Sequence, residues 1–154
     1  MSRDSGRPPL SLTVTRDYAA SAERVFDAWL DPDMARRFLF ATSDGEMLQV
    51  QIDARVGGDA LIVERRAQGD ARHRMRFEVI DRPRRLVFLF AAGIDGEADA
   101  DWSRVAIDIV SRDGGGCTLT LHHELDPAWS DWADRTRAGW TMMLDTLATL
   151  TGDS

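Results

Sequence analysis

His123 is the side chain of this sequence best placed to do chemistry near neutral pH. It sits in Cys117–Leu125, where apolar and polar residues alternate with the period of a half-buried strand. Neighbours along a strand point to opposite faces, so Leu119, Leu121, His123 and Leu125 share one face and Thr118, Thr120, His122 and Glu124 share the other. The leucine face should look into the interior, which makes His123 a polar group aimed at an apolar space. Such an imidazole could orient a polar group of a bound ligand, or act as an acid or base. The plainer alternative is a buried histidine satisfied by a local hydrogen bond.

Other reactive groupings are weaker. The adjacent His122 and His123 point oppositely and cannot chelate zinc together. Cys117 shares the parity of His123 but lies about 20 Å away along an extended strand, too far for direct coupling. Asp95, Glu97, Asp99 and Asp101 alternate as a hard-cation site would, yet the run lacks the sharp-turn glycine and closing glutamate of a calcium loop; it reads as a solvated loop. Gly57-Gly58 and the glycines at 114–116 precede strands rather than a helix, so they read as turn glycines and not a phosphate cradle. No metal, no other cofactor and no catalytic residue are expected.

All 19 basic residues are arginines against 26 acids, a net charge of -7, which argues against broad nucleic-acid binding. The absence of lysine excludes a Schiff-base mechanism and a lysine-dependent phosphate loop on this chain. Arg72, Arg74, Arg76 and Glu78 share one strand face, opposite His73, Met75, Phe77 and Val79. That arginine face is expected on the solvated convex side, with Arg66 near it, as an anion patch or as ordinary surface charge.

These residues need elements to position them. Leu10 to about Tyr18 alternates as a first strand. Ser21 can cap a helix with Ala22, Val25, Phe26 and Trp29 on one face, and Asp31-Pro32 can cap and open a shorter helix carrying Met34 and Phe38. Six strands follow: Met47 to Asp53, Asp59 to Ala67, Arg72 to Asp81, Arg85 to Ala92, Trp102 to Arg112, and Cys117 to Leu125. Turn signals such as Gly69-Asp70 and Arg82-Pro83 make most of their connections hairpins. Asp126-Pro127 then announces a long helix in which Trp129, Trp132, Thr136, Trp140, Met143, Leu147 and Leu150 form one aromatic and apolar stripe. The chain is expected to be α+β: a seven-stranded curved antiparallel sheet wrapped on the C-terminal helix. Residues 10–152 read as one domain behind a short disordered tail, 1–9.

That order resembles the helix-grip fold of the START and Bet v 1-like superfamily. Local motifs are similar to the family named after the activator of the ninety-kilodalton heat-shock chaperone's ATPase. They are Val25-Phe26-Asp27-Ala28-Trp29 with Asp31-Pro32, Ile52-Asp53-Ala54-Arg55-Val56-Gly57-Gly58, Arg85-Leu86-Val87-Phe88, Thr118-Leu119-Thr120-Leu121, and Gly139-Trp140. The resemblance implies a cavity between sheet and helix, and a histidine following the Thr-Leu-Thr-Leu pattern agrees with it. The chaperone-activating role belongs to larger proteins with an extra domain and is not carried over. This sequence has Phe38 where relatives often carry a tryptophan.

The expected function is binding of a small hydrophobic or amphipathic molecule. Candidate cavity residues are Trp29, Phe38, Met75, Phe77, Phe88, Leu119, Leu121, His123, Trp140, Met143, Leu144 and Leu147. Gly139 is expected to admit close approach of a strand or ligand. Two alternatives remain open: a cyclase- or hydrolase-like enzyme using His123 as acid or base, and a stress- or chaperone-related interaction module using Trp129 and the arginine strand. The single cysteine, the polar start and the lack of a long apolar run suggest a cytoplasmic protein without membrane insertion. A homodimer is compatible with each reading.

Overall fold

Two side-chain caps divide the segment after the first strand into separate helices. The Ser21 hydroxyl accepts from the Arg24 amide at 3.2 Å and starts α1, Ala22–Ala28; Asp31 accepts from the Asp33 amide at 2.9 Å and starts α2, Pro32–Phe38. Each cap satisfies an amide that the helix itself leaves unpaired. The computed structural model describes residues 10–41, 45–67, 69–94, 102–125 and 133–152. Its remaining elements are β1 Leu10–Tyr18, β2 Glu46–Ile52, β3 Asp59–Arg66, β4 Gly69–Asp81, β5 Arg85–Ile94, β6 Ser103–Ser111, β7 Cys117–Leu125 and α3 Ala133–Leu150.

The strands form one sheet of seven in the order β1-β7-β6-β5-β4-β3-β2, and every neighbouring pair is antiparallel. The segment holding α1 and α2 therefore carries the chain from one sheet edge to the other. The sheet is curved and α3 lies against it, as the helix-grip pattern predicts. Most strand limits match the alternation to within a residue or two. β4 begins earlier than expected, at Gly69, because Gly69 pairs with Arg66 and the presumed turn at Gly69-Asp70 is part of the ladder. The register shifts between Phe77 and Val79, so Val79 leaves the inward row of His73, Met75 and Phe77 and is only half-buried.

α3 buries Trp140, Met143, Leu144, Leu147 and Ala148, the spacing of a single helical face. Polar contacts with β1 fix its rotation. Tyr18 Oη donates to the Leu144 carbonyl at 2.9 Å, Arg16 pairs with Asp145 at 2.7 Å, and Arg137 donates to the Thr13 carbonyl at 2.6 Å. Trp129, Trp132 and the Asp126-Pro127 cap lie outside the described residues, as does the acidic run from Asp95 to Asp101. No helix among the described residues is long and apolar enough to cross a membrane.

Gly139 corrects one expectation. A methyl group built at this position would meet nothing within 4 Å among the described residues, so none of the seven strands approaches closely there. Glycine in a helix interior leaves the backbone too free, and Gly139→Ala is expected to raise stability by about 1 kcal/mol. Urea denaturation tests this directly; a lower midpoint would show that the position needs glycine.

Candidate functional site

All twelve residues named from the sequence as cavity candidates are buried; Met143, at 9%, is the most exposed of them. Leu119 and Leu121 come from β7, Met75 and Phe77 from β4, and Phe88 from β5, while Met143, Leu144 and Leu147 face them from α3. Trp29, the C-cap of α1, joins the two layers: its ring lies 5.3 Å from Phe38, 6.5 Å from Phe88 and 6.2 Å from Trp140, centroid to centroid.

His123 sits in this interior with both nitrogens engaged. Trp140 Nε1–H donates to Nδ1 at 3.0 Å, and Nε2 lies 2.7 Å from Ser103 Oγ. An indole nitrogen can only donate, so Nδ1 must be the bare acceptor and the neutral ring carries its proton on Nε2. Ser103 Oγ then accepts that proton's hydrogen bond and turns its own hydrogen toward the Phe90 carbonyl, 3.4 Å away. Burial pushes the His123 pKa down to about 4. The ring is neutral at pH 7, and its lone pair is committed to Trp140. Of the two roles open from sequence, the geometry supports the satisfied histidine: His123 fixes the indole of Trp140 and holds no free nitrogen for proton transfer.

A second buried histidine lies farther along the sheet. His73 Nδ1 is 3.2 Å from the Ile62 carbonyl, which requires the proton on Nδ1 and leaves Nε2 as the acceptor. Burial, then the charge of Arg66, lowers its pKa to about 4. The ring stacks on Phe40 at 4.3 Å with 2° between planes, and Phe40 also stacks on Phe90 at 5.0 Å and 16°. The edge of this group meets Trp140, 5.7 Å from Phe40.

Phe40 holds its place in a backbone conformation with φ of +58°, which bulky side chains avoid. Its amide donates to Met143 Sδ at 3.1 Å, and its carbonyl accepts from Arg66 Nη2 at 3.1 Å. Arg66 Nε is in turn 2.7 Å from Glu64, a carboxylate only 1% exposed. This corrects the expected position of Arg66. Ala60, Ile62, Glu64 and Arg66 share one parity on β3, and burial of Ala60 and Ile62 fixes that parity as the inner one, away from Arg72, Arg74 and Arg76. A carboxylate so buried is tolerable because it is paired.

Among the described residues two buried side-chain nitrogens have no hydrogen-bond partner, Arg16 Nε and Trp29 Nε1. Arg16 lies on β1 and pairs through Nη1 with Asp145, whereas Trp29 is 0% exposed and has no other polar atom on its side chain. Hollows lined by described residues open elsewhere, on the outer surface: beside Trp102 on the convex sheet face, along the outer side of α3, and at Ser21 to Met34. No group of three or more metal-ligating side chains gathers among the described residues.

The profile of proteins described as Activator of Hsp90 ATPase homolog 1-like protein matches residues 19–152. The chain belongs to this family. Solved structures of similar shape extend the match over the whole fold of this Activator of Hsp90 ATPase homolog 1-like chain. Protein CV1439 from Chromobacterium violaceum is 20% identical, with a TM-score of 0.76 over 94% of this chain and 98% of that one. Protein Mll3558 from Rhizobium loti is 25% identical, with a TM-score of 0.76 over 91% and 95%. An AHSA1-like protein from Aeromonas hydrophila is 21% identical, with a TM-score of 0.70 over 90% of each chain. No curated protein matches. The profile match establishes the family, and the solved structures establish the helix-grip fold.

Proposed function

We propose that this member of the Activator of Hsp90 ATPase homolog 1-like family binds a small apolar or amphipathic molecule between the sheet and α3. The observation that carries the reading is the unpartnered Nε1–H of Trp29. Buried donors are almost always paired, and an orphan marks a missing acceptor. A trapped water needs two to four polar partners, whereas the ring neighbours of Trp29 are Phe38, Phe88 and a Trp140 already bonded to His123. A ligand acceptor fits that setting better.

In this reading Met75, Phe77, Leu119 and Leu121 form the sheet wall, and Trp140, Met143, Leu144 and Leu147 the helix wall. Trp29, Phe38 and Phe88 close one end, and His123 orients Trp140. A molecule burying about 300 Å² of apolar surface there gains roughly 7 kcal/mol before ordering costs, short of the roughly 8 kcal/mol that 1 μM binding requires, so affinity weaker than micromolar is expected. The enzymatic alternative asks His123 for a free nitrogen and is not favoured. No observation favours the interaction module. The buried thiol of Cys117, the only cysteine, suits a reducing compartment, and we place the protein in the cytoplasm as a monomer or homodimer.

A neutral aliphatic ketone, 2-decanone, probes the site by isothermal titration. Trp29→benzothienylalanine keeps the bicyclic shape and removes the N–H. It is expected to weaken ketone binding about tenfold and to raise the stability of the empty protein by about 1 kcal/mol, because a buried unpaired donor disappears. Equal affinity with and without the N–H would contradict the reading.

A further inference from the structure

Phe40 is an interior ring that belongs to neither a strand nor a helix. It follows α2, in the left-handed region at φ +58°, and its backbone is tied down by the Arg66 guanidinium and Met143 Sδ. Beneath it lie His73 and Phe90, whose own rings are within 14° of parallel and 6.2 Å apart. Together they make a flat floor on the rigid sheet, with Trp140 standing at its edge.

We infer that the Phe40 ring holds the place of a planar aromatic group of the ligand. This rests on the binding reading above. Displacing Phe40 relieves a disfavoured backbone conformation, whereas displacing Phe88, Phe90 or Trp140 would disturb a strand or helix. The vacated space offers a flat ring two parallel rings to stack on and an indole edge to meet. Trp140 connects this space to the ring that carries the orphan donor, lying 5.7 Å from Phe40 and 6.2 Å from Trp29. The ligand is then a flat aromatic carrying a neutral acceptor such as a ketone. Arg66, held by Glu64, is the latch that keeps Phe40 in place when no ligand is bound.

The test uses the full chain labelled with 4-fluorophenylalanine, titrated with 2-acetonaphthone and, separately, with 2-decanone. Phe40→Leu assigns the Phe40 fluorine signal. The aromatic ketone is expected to move that signal from its buried position to a solvent-like one and to bind about tenfold tighter than the aliphatic ketone. Phe40→Gly, compatible with positive φ, leaves the floor open and should bind 2-acetonaphthone about tenfold tighter than the native chain does, with little change for 2-decanone. If the Phe40 signal stays fixed while 2-acetonaphthone binds, the placeholder idea fails and the binding reading stands. The same holds if Phe40→Gly strengthens both ketones equally. If neither ketone binds either chain, both fall. Should Phe40→Gly not fold, the fluorine titration of the native chain decides.

Discussion

Acidification from pH 6.5 to about 4 is expected to destabilise this protein by about 3 kcal/mol per pH unit at the steepest, two protons' worth. His73 and His123 both take protons near 6.5 when the chain is unfolded, but only near 4 when it is folded. Between those values the unfolded state holds the extra protons, so stability is full above 6.5, falls as pH drops, and stops falling on their account below about 4. The total is of the order of 7 kcal/mol, comparable with the whole stability of a small domain. Asp27, held below its usual 3.8 by its hydrogen bond to Arg82, adds acid sensitivity only beneath this window. Urea denaturation at successive pH values measures the slope. His73→Gln and His123→Gln should each remove about half of it; a flat profile across the window would contradict the two neutral, buried histidines.

Trp140→Ala is expected to cost about 4 kcal/mol or more. The indole is 2% exposed and touches Trp29, Phe40, Phe90 and His123 at once. Its removal leaves a cavity between α3 and the sheet and also leaves His123 Nδ1 without a donor. Trp140→Phe separates the two effects, since it keeps most of the ring and loses the N–H; it should cost about 2 kcal/mol. A loss below about 1 kcal/mol for Trp140→Ala would mean that the aromatic group is not the keystone of the interior.

The parts of this site that the sequence discloses are those set by periodicity. Strand parity puts Leu119, Leu121 and His123 on one face, and helical spacing puts Trp140, Met143 and Leu147 on another; both hold in the structure. The same parity, applied to β3 from Ile62, places Arg66 inside together with Glu64; the charge of Arg66 is what pointed to the surface arginines instead. Ser103 and His123 meet because β6 and β7 adjoin, and Trp140 meets them because of how α3 lies on the sheet; neither pairing is a local property. Phe40 was illegible for a different reason. Its place depends on a left-handed backbone that neither glycine nor asparagine announces, and it is stabilised by Arg66, distant in sequence. The orphan donor of Trp29 is likewise a fact of packing alone.

The most direct measurement of the central claim is the indole ¹⁵N–¹H resonance of Trp29 during a titration with 2-acetonaphthone. A ligand acceptor reaching this donor predicts a downfield, saturable shift whose midpoint equals the calorimetric dissociation constant, with slowed exchange of that proton. A Trp29 resonance that stays put while the ketone binds, or a titration with no saturable response anywhere in the interior, would contradict a binding site between sheet and helix.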